Sequence, residues 1–100
     1  MFRLKVLLNI PVLVDFTGQA CKACKVMKSR LENINKSIGD KIRIVYVLVN
    51  EQKDLTKKYK IMLIPTMVLL DATGREVWRL TGEIEEQKLI NKIEKYLKAE

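Results

Sequence analysis

The sequence predicts an α/β domain, a mixed four-stranded central sheet flanked by helices on both faces. Three observations predict it. Apolar, β-branched runs alternate with helix-period segments in the order β-α-β-α-β-β-α. A long amphipathic segment separates the first two strands, so they are expected to run parallel through a right-handed crossover. Asp71-Ala72-Thr73-Gly74 divides the last two strands as a hairpin turn, which adds an antiparallel pair. One hundred residues at 48% apolar content read as a single domain, residues 1–100, with no internal repeat, linker or low-complexity tract.

Residues 2–10 fit two patterns. Phe2, Leu4, Val6 and Leu8 alternate as in a strand, whereas Leu4, Leu7 and Leu8 suit a short helix; Pro11 ends either. Arg3 and Lys5 before an apolar stretch superficially resemble a signal peptide. Pro11 interrupts that stretch and no small-residue cleavage site follows Asp15, so the segment is read as folded structure. Residues 11–16 are almost continuously apolar, as expected of a strand covered on both faces. Thr17-Gly18-Gln19-Ala20 is a short loop. The helix predicted at 22–38 carries Cys24, Met27, Leu31, Ile34 and Ile38 at spacings of three and four, with Gly39 as a left-handed cap. A second strand covers 42–49. Asn50 to Gln52 turn the chain into a short helix through Leu55 and Tyr59. Strands follow at 66–70 and 75–81, and Gly82 breaks the second. The last helix, 84–98, is expected to bury Leu89, Ile90, Ile93 and Leu97.

Charge and composition exclude several functions. The net charge of +7 comes from 19 Lys and Arg against 12 Asp and Glu, but Lys57, Lys58, Lys88, Lys92, Lys95 and Lys98 fall on helix faces. Aromatics are few and no groove-reading motif occurs, so a solvated surface is favoured over a nucleic-acid patch. With no histidine, Ser/His/Asp and Cys/His nucleophile pairs are ruled out, as is a closed Cys/His zinc site. No segment reaches the length of a membrane-spanning helix.

The chemistry concentrates in Cys21-Lys22-Ala23-Cys24, which holds both cysteines of the chain at a strand-to-helix junction. Cys24 continues the buried stripe, so its sulfur should face the core. Cys21 lies at the open end of the helix, where free backbone N–H groups and the positive dipole end stabilise a thiolate. These positions make Cys21 the attacking nucleophile and Cys24 the resolving thiol of a thiol–disulfide exchange. Asp15 stands in an otherwise apolar strand, where a carboxylate costs free energy unless it has a partner or a task, or simply reaches solvent at the strand end.

Val14-Asp15-Phe16, Cys21-x-x-Cys24-Lys25, Ile64-Pro65-Thr66 and Gly82 together resemble the thioredoxin superfamily over roughly residues 11–98. The Cys-x-x-Cys-Lys-x-Met opening is also similar to thioredoxin-like domains of bacterial thiol–disulfide interchange proteins. The resemblance implies a cis bond before Pro65, placing it against the disulfide. It implies that Ile64, Pro65 and Gly82 bind substrate, with the Ile64 backbone pairing an extended segment, and that Asp15 accepts the proton of Cys24. It also implies no bound cofactor or metal. Implied partners are protein disulfides or thiols and a reductase or membrane electron donor, with the chain acting as a monomer. Three departures stand out. Ala20 occupies the position of a usual tryptophan, and Trp78 is expected to pack rather than replace it. Lys22-Ala23 replaces Gly-Pro and is expected to retune the redox potential. The N-terminal edge strand is absent or contracted.

The leading expectation is therefore a protein thiol–disulfide oxidoreductase that reduces partner disulfides. A two-coordinate Cu(I) carrier also suits a CxxC at a loop–helix junction, but such carriers have a βαββαβ order and no Ile-Pro beside the site. A redox-sensing interaction module without turnover is the third reading. The compartment stays open between cytoplasmic and, if a leader or anchor has been removed, extracytoplasmic.

Overall fold

The strands associate in the order β2-β1-β3-β4, in a computed structural model that describes residues 10–99. β1 (Val12–Thr17) pairs in parallel with β2 (Arg43–Leu48) and antiparallel with β3 (Thr66–Leu70), which pairs antiparallel with β4 (Glu76–Thr81). α1 (Lys22–Ile38), α2 (Lys53–Lys58) and α3 (Glu86–Ala99) complete the β-α-β-α-β-β-α order expected from the sequence. The assignment of residues 2–10, and with it the N-terminal edge strand, lies outside the described residues.

β1 is central because both of its faces are apolar, and side-chain alternation sends successive residues to opposite layers. Leu13, with Met67 and Leu69 of β3, packs beneath Met27, Leu31 and Ile34 of α1 and Leu89 and Ile93 of α3. Val14, Phe16 and Val68 face the other way, toward Tyr59 and Ile61; the Phe16 and Tyr59 rings are 5.7 Å apart. The stripe Cys24, Met27, Leu31, Ile34 and Ile38 is buried throughout. In α3, Leu89 and Ile93 are buried as expected, whereas Ile90 and Leu97 are half-buried at its flank. Trp78 packs against this same core, with Lys92 Nζ 5.3 Å from its ring centroid.

Three local features differ from the sequence reading. Gly39 is right-handed, with φ −66° and ψ −16°, not a left-handed cap. Glycine is needed there for space, because a Cβ would collide with the Asn35 carbonyl oxygen. The left-handed residue is instead Lys60, at φ 53°, just past α2. There the Lys60 N–H donates to the Lys57 carbonyl and the Ile61 N–H to that of Thr56, both at 3.0 Å, which is the Schellman arrangement. Finally, α3 starts at Glu86 rather than residue 84. The Ile84 N–H donates to Met27 Sδ at 3.3 Å and the Ile84 carbonyl accepts from Arg30 Nη1 at 2.8 Å, holding that segment against α1. The expected hairpin is present. Asp71 Oδ1 accepts from the N–H groups of Thr73 and Arg75, each at 2.9 Å, and Gly74 supplies the left-handed φ of 94°.

Candidate active site

β1 delivers the chain into a four-residue loop that ends at Cys21, the N-cap of α1, with φ −146° and ψ 108°. Cys21 Sγ accepts a hydrogen bond from the Cys24 N–H at 3.2 Å, taking the place usually filled by a serine or aspartate oxygen. The two sulfurs form a disulfide across a Cα–Cα distance of 5.2 Å, inside the range that such bonds require. The cysteines are unequal. Cys24 is 1% exposed on the core side, whereas Cys21 is half-buried at the helix mouth. The first turn of α1 carries no acidic residue, and Lys22 is exposed on it. A negative charge on Cys21 would therefore meet oriented N–H groups and no carboxylate from the first turn of its own helix.

A second segment closes on this junction. The Ile64–Pro65 bond is cis, as the resemblance implies. Ile64 presses on the loop before Cys21, since a Cβ on Gly18 would lie 2.6 Å from Ile64 Cδ1. The buried Pro65 offers its carbonyl to the Gly82 N–H at 2.8 Å. Thr66 fixes the same corner through its hydroxyl, which donates to the Leu63 carbonyl at 2.6 Å and lies 3.1 Å from the Thr81 hydroxyl. Gly82 needs glycine for its φ of 97°, not for space, as nothing lies within 4 Å of a Cβ there. The structure thus joins Cys21, Cys24, Ile64, Pro65 and Gly82 through the Gly18 contact and this corner.

Asp15 lies in the layer between the sheet and α1. It is two residues from Leu13 on the same strand face, and Leu13 packs against Met27, one turn after Cys24. The carboxylate is wholly buried and neither oxygen has a hydrogen-bond partner among the described residues. Burial pushes its pKa up from an ordinary 3.8 to about 7, so the group can gain and lose a proton near neutrality. Tyr46 is its register partner on β2, with Lys28 Nζ 5.8 Å from the ring centroid. Burial foremost, then the charges of Glu32 and Asp15, push the Tyr46 phenol up.

Sequence reasoning missed Gly18 and Tyr46. Gly18 carries only the weak signal of a glycine in a loop, and its constraint comes from Ile64, distant in sequence. Tyr46 could be found only by aligning β2 against β1 in register.

A dithiol/disulfide pair at a helix mouth, beside a cis-proline corner, defines a thiol–disulfide oxidoreductase domain. The thioredoxin family model matches residues 1–95. A thioredoxin of Griffithsia pacifica is 32% identical over 89% of this chain and 81% of that protein. Thioredoxin 1 of Synechococcus elongatus is 30% identical over 89% and 82%. Among solved structures, the germline-specific thioredoxin Deadhead of Drosophila melanogaster superposes with a TM-score of 0.83 at 26% identity, covering 94% of this chain and 88% of that one. Thioredoxin-2 of a malaria parasite gives the same TM-score at 23% identity over 87% and 84%, a likeness of fold. The chain belongs to the thioredoxin family. It is a CxxC thiol–disulfide oxidoreductase, and its substrates are protein disulfides.

Proposed function

We propose that the protein works as a reductant of partner proteins, with the outer cysteine as nucleophile and the inner one as resolving thiol. The observation that carries this reading is the inequality of the two sulfurs: half-exposed Cys21 accepts a backbone N–H, and Cys24 is buried. The Cys21 thiolate attacks one sulfur of the substrate disulfide and releases the other as a thiolate. Asp15, buried in the same layer, takes the proton of the Cys24 thiol. The Cys24 thiolate then attacks Cys21 Sγ, forms the disulfide of the oxidised protein and releases the substrate as a dithiol. Two electrons pass to the substrate and no cofactor takes part. The Ile64 backbone, Pro65 and Gly82 form the bed for an extended substrate segment, while Lys22 and Ala23 tune the potential. A reductase or membrane electron donor restores the dithiol, and the chain acts as a monomer.

The test is insulin reduction followed by non-reducing electrophoresis. Cys21→Ser is expected to abolish reduction, and Cys24→Ser to accumulate covalent complexes with substrate. Accumulation in the Cys21 variant instead would reverse the two roles. A Cu(I) titration alongside, with tight binding and no insulin reduction, would favour the metal carrier.

A further inference from the structure

Beside the cis-proline corner, a surface groove of about 450 Å³ is lined by Val49, Lys53, Thr56, Lys57, Lys60, Ile61 and Met62. Its floor is apolar and its rim carries three lysines, with no carboxylate among the lining residues. None of the three lysines has an ion-pair partner among the described residues. Lys58, by contrast, is turned toward the Tyr59 ring, with Nζ 5.8 Å from its centroid. Met62 is 88% exposed and Leu63 67%, an unusual display of large apolar side chains on adjacent residues. Met62 lies three residues before Pro65, a span of at most about 11 Å in extended chain. A polypeptide bound along Ile64 therefore reaches the groove within a few residues.

Lys60 supplies an independent observation. It is held at φ 53°, a conformation that glycine or asparagine adopts with less strain, and it is the one non-glycine residue at positive φ among those described. The helix stop alone would be better served by glycine. A strained residue at a surface site points to a use for its side chain, and here that side chain is a cation on the groove rim.

We propose that this groove is a specificity site that selects protein substrates in which apolar and acidic residues flank the disulfide. Apolar side chains of the extended segment rest on Met62, Leu63 and Ile61, and its carboxylates meet Lys53, Lys57 and Lys60. The inference rests on the reading of the protein as a reductant of protein disulfides. Continuity with the cis-proline corner favours a polypeptide occupant over an anionic lipid surface.

The test compares two synthetic peptides of equal length, each with one internal disulfide. One has alternating Leu and Asp/Glu on the flank and the other alternating Leu and Lys. Reduction of bis(2-hydroxyethyl) disulfide, small and neutral, monitors the CxxC chemistry itself. The reduced protein is expected to favour the acidic peptide in kcat/KM by about ten-fold, or about 1.4 kcal/mol, within reach of three exposed ion pairs. The preference should shrink in about 1 M sodium chloride, where the Debye length is about 3 Å. Lys53→Glu/Lys57→Glu/Lys60→Glu should reverse it while leaving the small disulfide's reduction unchanged. Met62→Ser should slow both peptides. Lys60→Gly should raise the thermal midpoint and cut the acidic preference two- to three-fold, to the order expected of one exposed ion pair. Equal rates for the two peptides, or a preference untouched in the lysine variants, overturns the proposal. So does saturable binding to phosphatidylserine vesicles by a protein indifferent to peptide charge. Failure to reduce even the small disulfide would instead overturn the reductant reading.

Discussion

The two faces of the sheet are built to different standards. On one, α1 and α3 seal Leu13, Met67 and Leu69 under Met27, Leu31, Ile34, Leu89 and Ile93, all without exposed surface. On the other, α2 is a six-residue helix with no buried residue of its own, and Tyr59 and Ile61 after it provide much of the cover. The dense face holds Cys24 and Asp15, whose protonation depends on the exclusion of water. The thin face leads to the lysine-rimmed groove and exposed Met62. Redox chemistry needs a dry, rigid layer, whereas recognition needs accessible surface. The domain places each on its own side of one strand.

Core truncation tests that division most severely. Leu31→Ala on α1 is expected to cost about 2–5 kcal/mol, as for other buried leucines. Leu55→Ala on α2, where the leucine is already 37% exposed, should cost less than about 1 kcal/mol. Urea unfolding of both variants decides it, and equal losses would show that α2 carries as much of the fold as α1.

A buried carboxylate makes the dense face pH-sensitive. Because the Asp15 pKa rises from 3.8 to about 7 on folding, the folded chain holds more protons than the unfolded one between these values. Asp15 then lowers stability progressively as pH rises from 3.8 through 7, by up to about 4 kcal/mol. Asp15→Asn removes that slope. At pH 8 it should stabilise the protein by about 1–3 kcal/mol, since an unpaired buried amide retains part of the penalty. The same variant should slow release of substrate from the mixed disulfide near neutral pH. Stability curves at several pH values and single-turnover kinetics are the measurements. A slope that persists in Asp15→Asn would assign it to other groups.

The smallest effect concerns the helix mouth. Lys22 is exposed beside Cys21, so its attraction for the thiolate is screened and worth a fraction of 1.4 kcal/mol, or of 30 mV. The native potential is expected above the roughly −270 mV typical of thioredoxin, and Lys22→Glu should lower it by that fraction. A glutathione redox titration at two salt concentrations measures both. A native value below −270 mV would remove the Lys22 charge as the tuning force.

Much of this was legible in the sequence where local pattern and tertiary demand coincide. The stripe from Cys24 to Ile38 predicted α1 to the residue because every third or fourth position is apolar and every one is buried. The misjudged features depend on contacts or costs that local pattern does not encode. Gly39 is needed for its Asn35 neighbour rather than for its own φ. The late start of α3 depends on Met27 and Arg30, far away in the chain. Lys60 gave no signal because residue type argues against the conformation that it adopts. In the site, the cysteines and Pro65 were readable as motifs. The apolar strand left Asp15 either buried or reaching solvent from the strand end; the structure buries it, and its pairing with Tyr46 needed the register.

Ile84 binds α1 at both its N–H and its carbonyl, and Pro65 binds Gly82. These hydrogen bonds fasten the three segments around the disulfide into one frame. A frame tied in this way adjusts less to a badly presented disulfide than loosely joined segments would. The burden of reorganisation falls on the visitor, whose backbone must straighten and swing its sulfur into line, and the entropy lost in that ordering is taken from its affinity. A rigid host of this kind sorts its guests by their pliancy as well as by their chemistry.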